Sequence, residues 1–134
     1  MNEYTVELRI YGKDLNPSAI TNALTLEPSL AIKRGDKKGK NTCWEGGMWA
    51  YNGFPESSGT KNWESLEEGL TFMLEKLLPI RNKLENYKNE FKVILWCGHF
   101  QSDLNSSFTL SPRTLQMLGD LGIELFVDNY TSTE

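Results

Sequence analysis

The chain is short of sulfur and almost without imidazole: two cysteines and one histidine among 134 residues. Two thiols are too few for the disulfide framework of a small secreted domain. Cys43, Cys97 and His99 lack the paired Cys-x-x-Cys or His-x-x-x-His spacing of a zinc site, so no metal and no other cofactor is expected. Long apolar runs are missing as well, and no stretch approaches the ~18 residues of a membrane span. Positive charge is in the minority, 14 Lys and Arg against 18 Asp and Glu, for a net charge of −4. A protein that holds nucleic acid by its phosphates leans the other way, so nucleic acid is not the expected partner. The opening Met1-Asn2-Glu3-Tyr4-Thr5-Val6-Glu7 is charged where a signal peptide needs an apolar stretch. With the sparse thiols, this reads as a reduced, cytoplasmic protein.

What is present suffices for a single domain over residues 1–134. Apolar residues make up 39%, charged residues 24%, and the aromatics are four Trp, five Tyr and six Phe, which excludes disorder and coiled coil. A chain of this length buries roughly 68% of its unfolded surface, enough for one core without staples.

Residues 4 to 11 alternate strictly: Tyr4, Val6, Leu8 and Ile10 against Thr5, Glu7, Arg9 and Tyr11. That period of two predicts a strand with one face buried. Asn16-Pro17 reads as a cap with proline at the first helical position, followed by Ile20, Ala23 and Leu24 at helical spacing and ended by Pro28. Leu30 to Arg34 predicts a strand, Gly35 to Lys40 a loop, and Asn41 to Tyr51 a further strand with a weak spot at Gly46-Gly47. The polar, turn-forming composition of residues 52–61 predicts a loop. Asn62 is the expected cap of the main helix, with Trp63 and Glu64 in its first turn and an apolar stripe at Leu66, Leu70, Met73, Leu74, Leu77 and Leu78. Pro79 kinks that helix or starts a second one, carrying Ile80, Leu84 and Tyr87.

Phe91 to Cys97 is mostly apolar and predicts a central strand covered on both sides. Phe108 and Leu110 could add a short strand. Ser111-Pro112 repeats the cap-then-proline start, Leu115, Leu118 and Leu121 line the helix, and Gly122 ends it. The last strand alternates Ile123, Leu125 and Val127 with Glu124, Phe126 and Asp128. The expected fold is α+β: a mainly antiparallel sheet of five to six strands with about three helices packed on it, loosely ferredoxin-like.

Certain local patterns carry a family resemblance. They are the opening strand into Asp14-x-x-Pro17, Leu26-x-Pro28-Ser29, the Arg34-Gly35-Asp36 turn and Trp44…Gly47-x-Trp49. The ending Leu110-Ser111-Pro112…Leu118-x-x-Leu121-Gly122 into Asp128-x-Tyr130 belongs to the same set. With these the chain resembles an uncharacterised bacterial family, domain of unknown function 4279. The resemblance implies a fold and a cytoplasmic, bacterial setting, and it brings no catalytic residues.

Catalytic constellations are thin. A Ser-His-Asp arrangement would have to use His99 with Ser102 and Asp103, too close in sequence to converge readily. Glu64 and Glu68 share a helix face in the expected register, but an outer face solvates carboxylates rather than raising their pKa. Binding features are richer. Lys33-Arg34-Gly35-Asp36-Lys37-Lys38-Gly39-Lys40 places five cations in eight residues, with glycines that free backbone N–H groups for an anion. Opposite parity puts Trp44 and Trp49 on different sheet faces, with Tyr51 and Phe54 close by, so one Trp is expected outside the helix-covered core. Acids concentrate elsewhere, at Glu64, Glu67, Glu68, Glu124 and Asp128.

The candidate contact residues are thus Arg34, Lys37, Lys38, Trp44, Trp49, Tyr51 and Phe54, with the five acids as a second, partner-facing surface. The expected function is a non-catalytic module binding another protein, in its most concrete form an immunity-type protein covering a basic toxin. The alternative is a domain binding a small ligand or an anion such as a nucleotide or phosphate, and an enzyme of unknown type is the remaining one. Oligomeric state has no signature in the sequence.

Overall fold

The computed structural model describes residues 2–54, 62–102 and 106–131. Strand β1 (Glu3–Gly12) buries Tyr4, Val6, Leu8 and Ile10 and leaves Thr5, Glu7 and Arg9 half-buried, as its alternation requires. Helix α1 (Pro17–Leu24) begins where Asn16 accepts the Ala19 N–H at 3.3 Å and ends at Thr25 in the left-handed region. Strands β2 (Leu30–Ile32) and β3 (Gly47–Tyr51) follow.

β3 is shorter than the expected strand 41–51, because residues 33–44 close on themselves first. Gly35 N–H donates to Trp44 O at 2.8 Å, Trp44 N–H to Asp36 O at 2.8 Å, and Lys38 N–H to Thr42 O at 3.0 Å. The basic run is therefore the arm of a small hairpin, and Trp44 belongs to that hairpin rather than to the sheet.

Helix α2 (Leu66–Leu77) is capped by Ser65, not Asn62: the Ser65 hydroxyl accepts the Glu68 N–H at 3.3 Å. Ser65-x-x-Glu68 is a capping-box sequence, and it outcompetes Asn62 as the start signal. Asn62 and Trp63 are used elsewhere. Asn62 donates to the Glu3 carboxylate at 3.5 Å, and Trp63 exchanges two backbone hydrogen bonds with Tyr4, at 2.7 and 2.8 Å. Glu64 consequently precedes the helix and does not share a helical face with Glu68. Pro79 lies in a 3₁₀ turn, Leu78–Ile80, after which α3 (Arg81–Lys88) starts.

Strand β4 (Lys92–Gln101) extends beyond the apolar run, so His99 sits within a strand rather than after one. Residues 106–110 have no regular structure, and the short strand expected at Phe108 and Leu110 is absent. Ser111 caps α4 (Pro112–Leu121) by accepting the Thr114 N–H at 3.2 Å, Gly122 closes it at φ 73°, and β5 (Glu124–Thr131) follows.

The strand order is β2-β3-β1-β4-β5, antiparallel at every step except the parallel β4–β5 pair. β1 to β4 with their helices reproduce the split βαβ arrangement of ferredoxin-like folds, and α4 with β5 adds one strand beyond β4. The fold is α+β with a mixed, mostly antiparallel sheet. The two cap-then-proline sites, Asn16 and Ser111, open the helices of the β1-α1-β2 and β4-α4-β5 units.

One face of the sheet meets the helices. Val6, Leu8, Leu95, Cys97 and Trp49 pack there against Leu66, Leu70, Met73 and Leu74 of α2, with Leu24, Leu84 and Leu118 from the other helices. Fully burying each such side chain contributes about 1.5–3 kcal/mol. α2 lies so close to β1 that a Cβ on Gly69 would come within 2.8 Å of Val6 Cγ2 and 2.9 Å of Trp63 Cδ1. No described helix covers the other face of the sheet, yet residues 93–99 of β4 are buried at both parities as expected, shielded on that face by neighbouring side chains such as Arg9 over Trp96. No described helix is long and apolar enough to cross a membrane.

Candidate functional site

Strand alternation and register decide which side chains share the uncovered face. β1 supplies Thr5, Glu7, Arg9 and Tyr11, β3 supplies Met48 and Ala50, and β4 supplies Lys92, Ile94, Trp96 and Phe100. β5 adds Glu124, Phe126, Asp128 and Tyr130 opposite Ile94, Trp96, Gly98 and Phe100. Three large aromatics stand open to solvent on this face: Phe126 at 48% exposure, Tyr130 at 43% and Phe100 at 39%. Phe100 and Tyr130 stack with centroids 4.9 Å apart and planes 10° apart.

The centre of the face is held by Arg9. Its guanidinium lies over the Trp96 ring, 3.8 Å from the centroid, with Nε donating to Glu7 and Nη1 donating to the Tyr11 hydroxyl at 3.2 Å. Stacking and hydrogen bonding explain why Trp96 is 9% exposed with no described helix above it. Gly98 makes the arrangement possible. A Cβ there would stand 2.7 Å from both Thr5 Oγ1 and Trp96 Cη2, and 3.0 Å from Phe100 Cε2. The cations that β1 and β4 place on this face are ion-paired within it, Arg9 to Glu7 and Lys92 to Glu124 at 3.4 Å. Glu3 and Asp128 have no cation partner among the described residues. Asp128 accepts from the Tyr130 hydroxyl at 2.9 Å, which holds that phenol's pKa above the ordinary value.

Beyond Arg9, toward the hairpin, the same face opens into a cleft of about 650 Å³. Arg9, Tyr11 and Met48 contribute from the sheet, Lys13 from the end of β1, and Trp44 from the hairpin. Trp44 also lines a second hollow of about 550 Å³ with Lys38, Thr42 and Cys43, and the Lys38 ammonium sits 4.7 Å from the indole centroid.

The contact residues expected from sequence fall into three separate places. Trp49 and Tyr51 are in the core, at 0% and 8% exposure, with Trp49 Nε1 donating to Thr21 Oγ1 at 3.0 Å, so neither offers a contact surface. Trp44 is the tryptophan outside the core, but the hairpin puts it there, not strand parity, because β3 begins only at Gly47. Phe54 is away from Trp44, stacked on Phe72 at 5.0 Å beside Trp63. Arg34 pairs with Asp14 at 3.0 Å, Lys37 is exposed on the hairpin, and Lys38 covers Trp44.

The acids do not form one surface either. Glu124 and Asp128 are on the uncovered face, whereas Glu64, Glu67 and Glu68 are at the start of α2 on the helical side. Glu67 is structural: its carboxylate accepts the Ser111 N–H at the start of α4, and that bond lowers its pKa. The residues missed by sequence reasoning are Arg9, Tyr11, Met48, Trp96, Phe100, Phe126 and Tyr130. Their signal was outward parity on four adjacent strands, β3, β1, β4 and β5, which becomes visible only when the strands are placed side by side.

His99 is 2% exposed on the helix-facing side of β4, stacked on Tyr4 with centroids 4.5 Å apart. Its Nδ1 lies 2.9 Å from Asn129 Oδ1 and its Nε2 3.5 Å from the Ser106 hydroxyl. The Ser106 hydroxyl donates to Gln101 Oε1, so the cluster ties residues 106–108 to β4 and β5. Asp103, considered as a triad member with Ser102, lies outside the described residues. Cys43 is on the hairpin and Cys97 in the core, and among the described residues no three His, Cys, Asp or Glu side chains are grouped to hold a metal.

The family described as Domain of unknown function (DUF4279) matches residues 2–132. No curated protein and no solved structure matches the chain.

Proposed function

We propose, on the premise that the chain belongs to the DUF4279 family, that it is a non-catalytic binding module whose partner docks on the uncovered face of the sheet. The observation that carries this reading is the aromatic group Phe100, Phe126 and Tyr130, left open beside Trp96 while the opposite face is fully packed. Large aromatics at the centre of a contact surface supply most of the energy of protein association. The charges favour a basic partner: once Arg9–Glu7 and Lys92–Glu124 are paired, Glu3 and Asp128 remain as net negative groups. A single-stranded nucleic acid would meet that charge as repulsion.

The concrete role is neutralisation of a basic toxin in the manner of an immunity protein, in a bacterial cytoplasm where exposed Cys43 stays reduced. An aromatic centre supplies lasting contact, and acidic groups at its edge accelerate capture. The test is affinity capture with the full chain, identification of the bound protein, and calorimetric titration with wild type and the Phe126→Asp/Tyr130→Asp variant. The reading requires the variant to bind at least tenfold more weakly and association to slow with added salt. A partner bound equally well by the variant, or no partner at micromolar concentration, overturns it.

A further inference from the structure

From the cleft between Trp44 and the β1–β3 end of the uncovered face we infer that the protein binds a small flat aromatic anion there, a ring carrying a carboxylate or phosphate. The inference does not depend on the protein-docking reading, because the cleft lies on the hairpin side of Arg9, away from Phe126 and Tyr130. Its volume, about 650 Å³, is in the range that encloses metabolite-sized ligands. Its lining is chemically two-sided. Trp44, Tyr11 and Met48 offer flat and flexible apolar surface, while Lys13 and Arg9 offer positive charge.

Charge selects the occupant. Between residues 33 and 45 the chain has five cations against two carboxylates, in a protein whose net charge is −4. Lys13 has no carboxylate partner among the described residues, so its ammonium is available to an incoming anion. Glu45 is the single carboxylate of the lining, and the Arg9 charge is shared with Glu7. Lys13 is therefore the principal anchor, and Arg9 presents an already oriented guanidinium at the cleft floor.

Trp44 lines both this cleft and the hollow that contains Lys38. With the Lys38 ammonium at the ring, a ligand stacking from the cleft side would complete a sandwich on an indole held in place by the hairpin's backbone bonds to Gly35 and Asp36. An uncharged ring would gain the stacking but not the ammonium contact. An anion without a ring would gain the reverse. The geometry rewards the combination.

The experiment titrates the full chain with 2-naphthoate and with adenosine 5′-monophosphate, using 2-naphthylmethanol as the uncharged control, and reads thermal shift and tryptophan fluorescence. At least one anion is expected to bind below about 1 mM and at least tenfold more tightly than the alcohol. Preference for 2-naphthoate or for the nucleotide identifies carboxylate or phosphate as the recognised group. Trp44→Leu is expected to weaken binding at least tenfold, and Lys13→Gln to abolish the preference for the anion. Phe126→Asp should leave both unchanged, which separates this site from the protein-docking surface. Trp44 and Lys13 lie outside the core, and an unaltered circular-dichroism spectrum confirms the variants are folded. Equal binding of acid and alcohol, indifference to Trp44→Leu, or no binding by either anion overturns the inference; in the last case the cleft is left to an aromatic side chain of a protein partner.

Discussion

The Arg9 guanidinium lies over the indole of Trp96 at 3.8 Å from its centroid, on a sheet face that no described helix covers. A residue from the polar parity of β1 thus shields the largest side chain of β4. Arg9→Ala should expose Trp96, shifting its emission to longer wavelength and making it more accessible to acrylamide. Loss of a partly desolvated cation–π contact should cost about 1–2 kcal/mol. Arg9→Lys retains the charge but not the planar stack or the bond to Tyr11, so it should recover little of that loss. Equal stability of Arg9→Lys and wild type would refute this role.

The space that lets Trp96 and Phe100 lie together is provided by Gly98. A methyl group there would press on Thr5 Oγ1, on Trp96 Cη2 and on the Phe100 ring at 2.7 to 3.0 Å. Gly98→Ala should therefore destabilise by about 1–3 kcal/mol and alter the near-ultraviolet circular dichroism of the indole. A far-ultraviolet spectrum like wild type would show that the sheet survives while its uncovered face rearranges.

The apolar stripe of α2 offers the contrasting case. Leu70 is 0% exposed, facing β1 beside Gly69. Leu70→Ala should cost about 2–5 kcal/mol, read from the urea midpoint, and exceed the cost of Gly98→Ala on the uncovered face. A loss smaller than that of Gly98→Ala would mean the core is not centred where α2 meets β1.

These sites differ in how plainly they were written in the chain. β1, α2 and β5 were legible because their apolar periods of two and of three or four show directly which side chains turn inward. The caps at Asn16 and Ser111 were legible because proline marks the next residue. Three features were not. Ser65 overrode Asn62 as a cap because Trp63 is drawn into pairing with Tyr4, a contact between residues far apart in sequence. β3 lost Trp44 to a hairpin closed by backbone bonds that no side-chain pattern announces. The site itself depends on register: Arg9, Trp96 and Tyr130 belong to three strands, and only pairing places them together. An apolar run such as 91–97 does not distinguish a strand under helices from one shielded by neighbours on its own face.

Glu67 connects two helices by accepting the Ser111 N–H, the bond that lowers its pKa. A depressed folded pKa contributes stability that is fully present above the unfolded carboxylate value and lost as pH falls through the folded one. Glu67→Gln should lower the melting temperature at pH 7 and flatten its decline below about pH 4.3, the unfolded reference. A variant whose acid profile parallels wild type would show that the α2–α4 contact does not respond to this carboxylate.

The alkaline side is governed by the core. Burial pushes the Cys97 thiol up to about 12, and Tyr4, Tyr51 and Tyr87 are raised for the same first reason. In the unfolded chain a thiol ionises near pH 8.5, so the sign follows. Below that value both states keep the proton, and the neutral thiol contributes no pH dependence. Above it only the unfolded state releases its proton, so stability falls by about 1.4 kcal/mol per pH unit until the folded thiol ionises in turn. Cys97→Ala should remove this portion of the decline while lowering stability at pH 7 through the lost packing. The same burial predicts thiol reactivity: with dithionitrobenzoate at pH 8 the native protein should give one rapid equivalent, from exposed Cys43, and a second only on unfolding. Two rapid equivalents from the native state would place Cys97 outside the core and contradict both parts of this prediction.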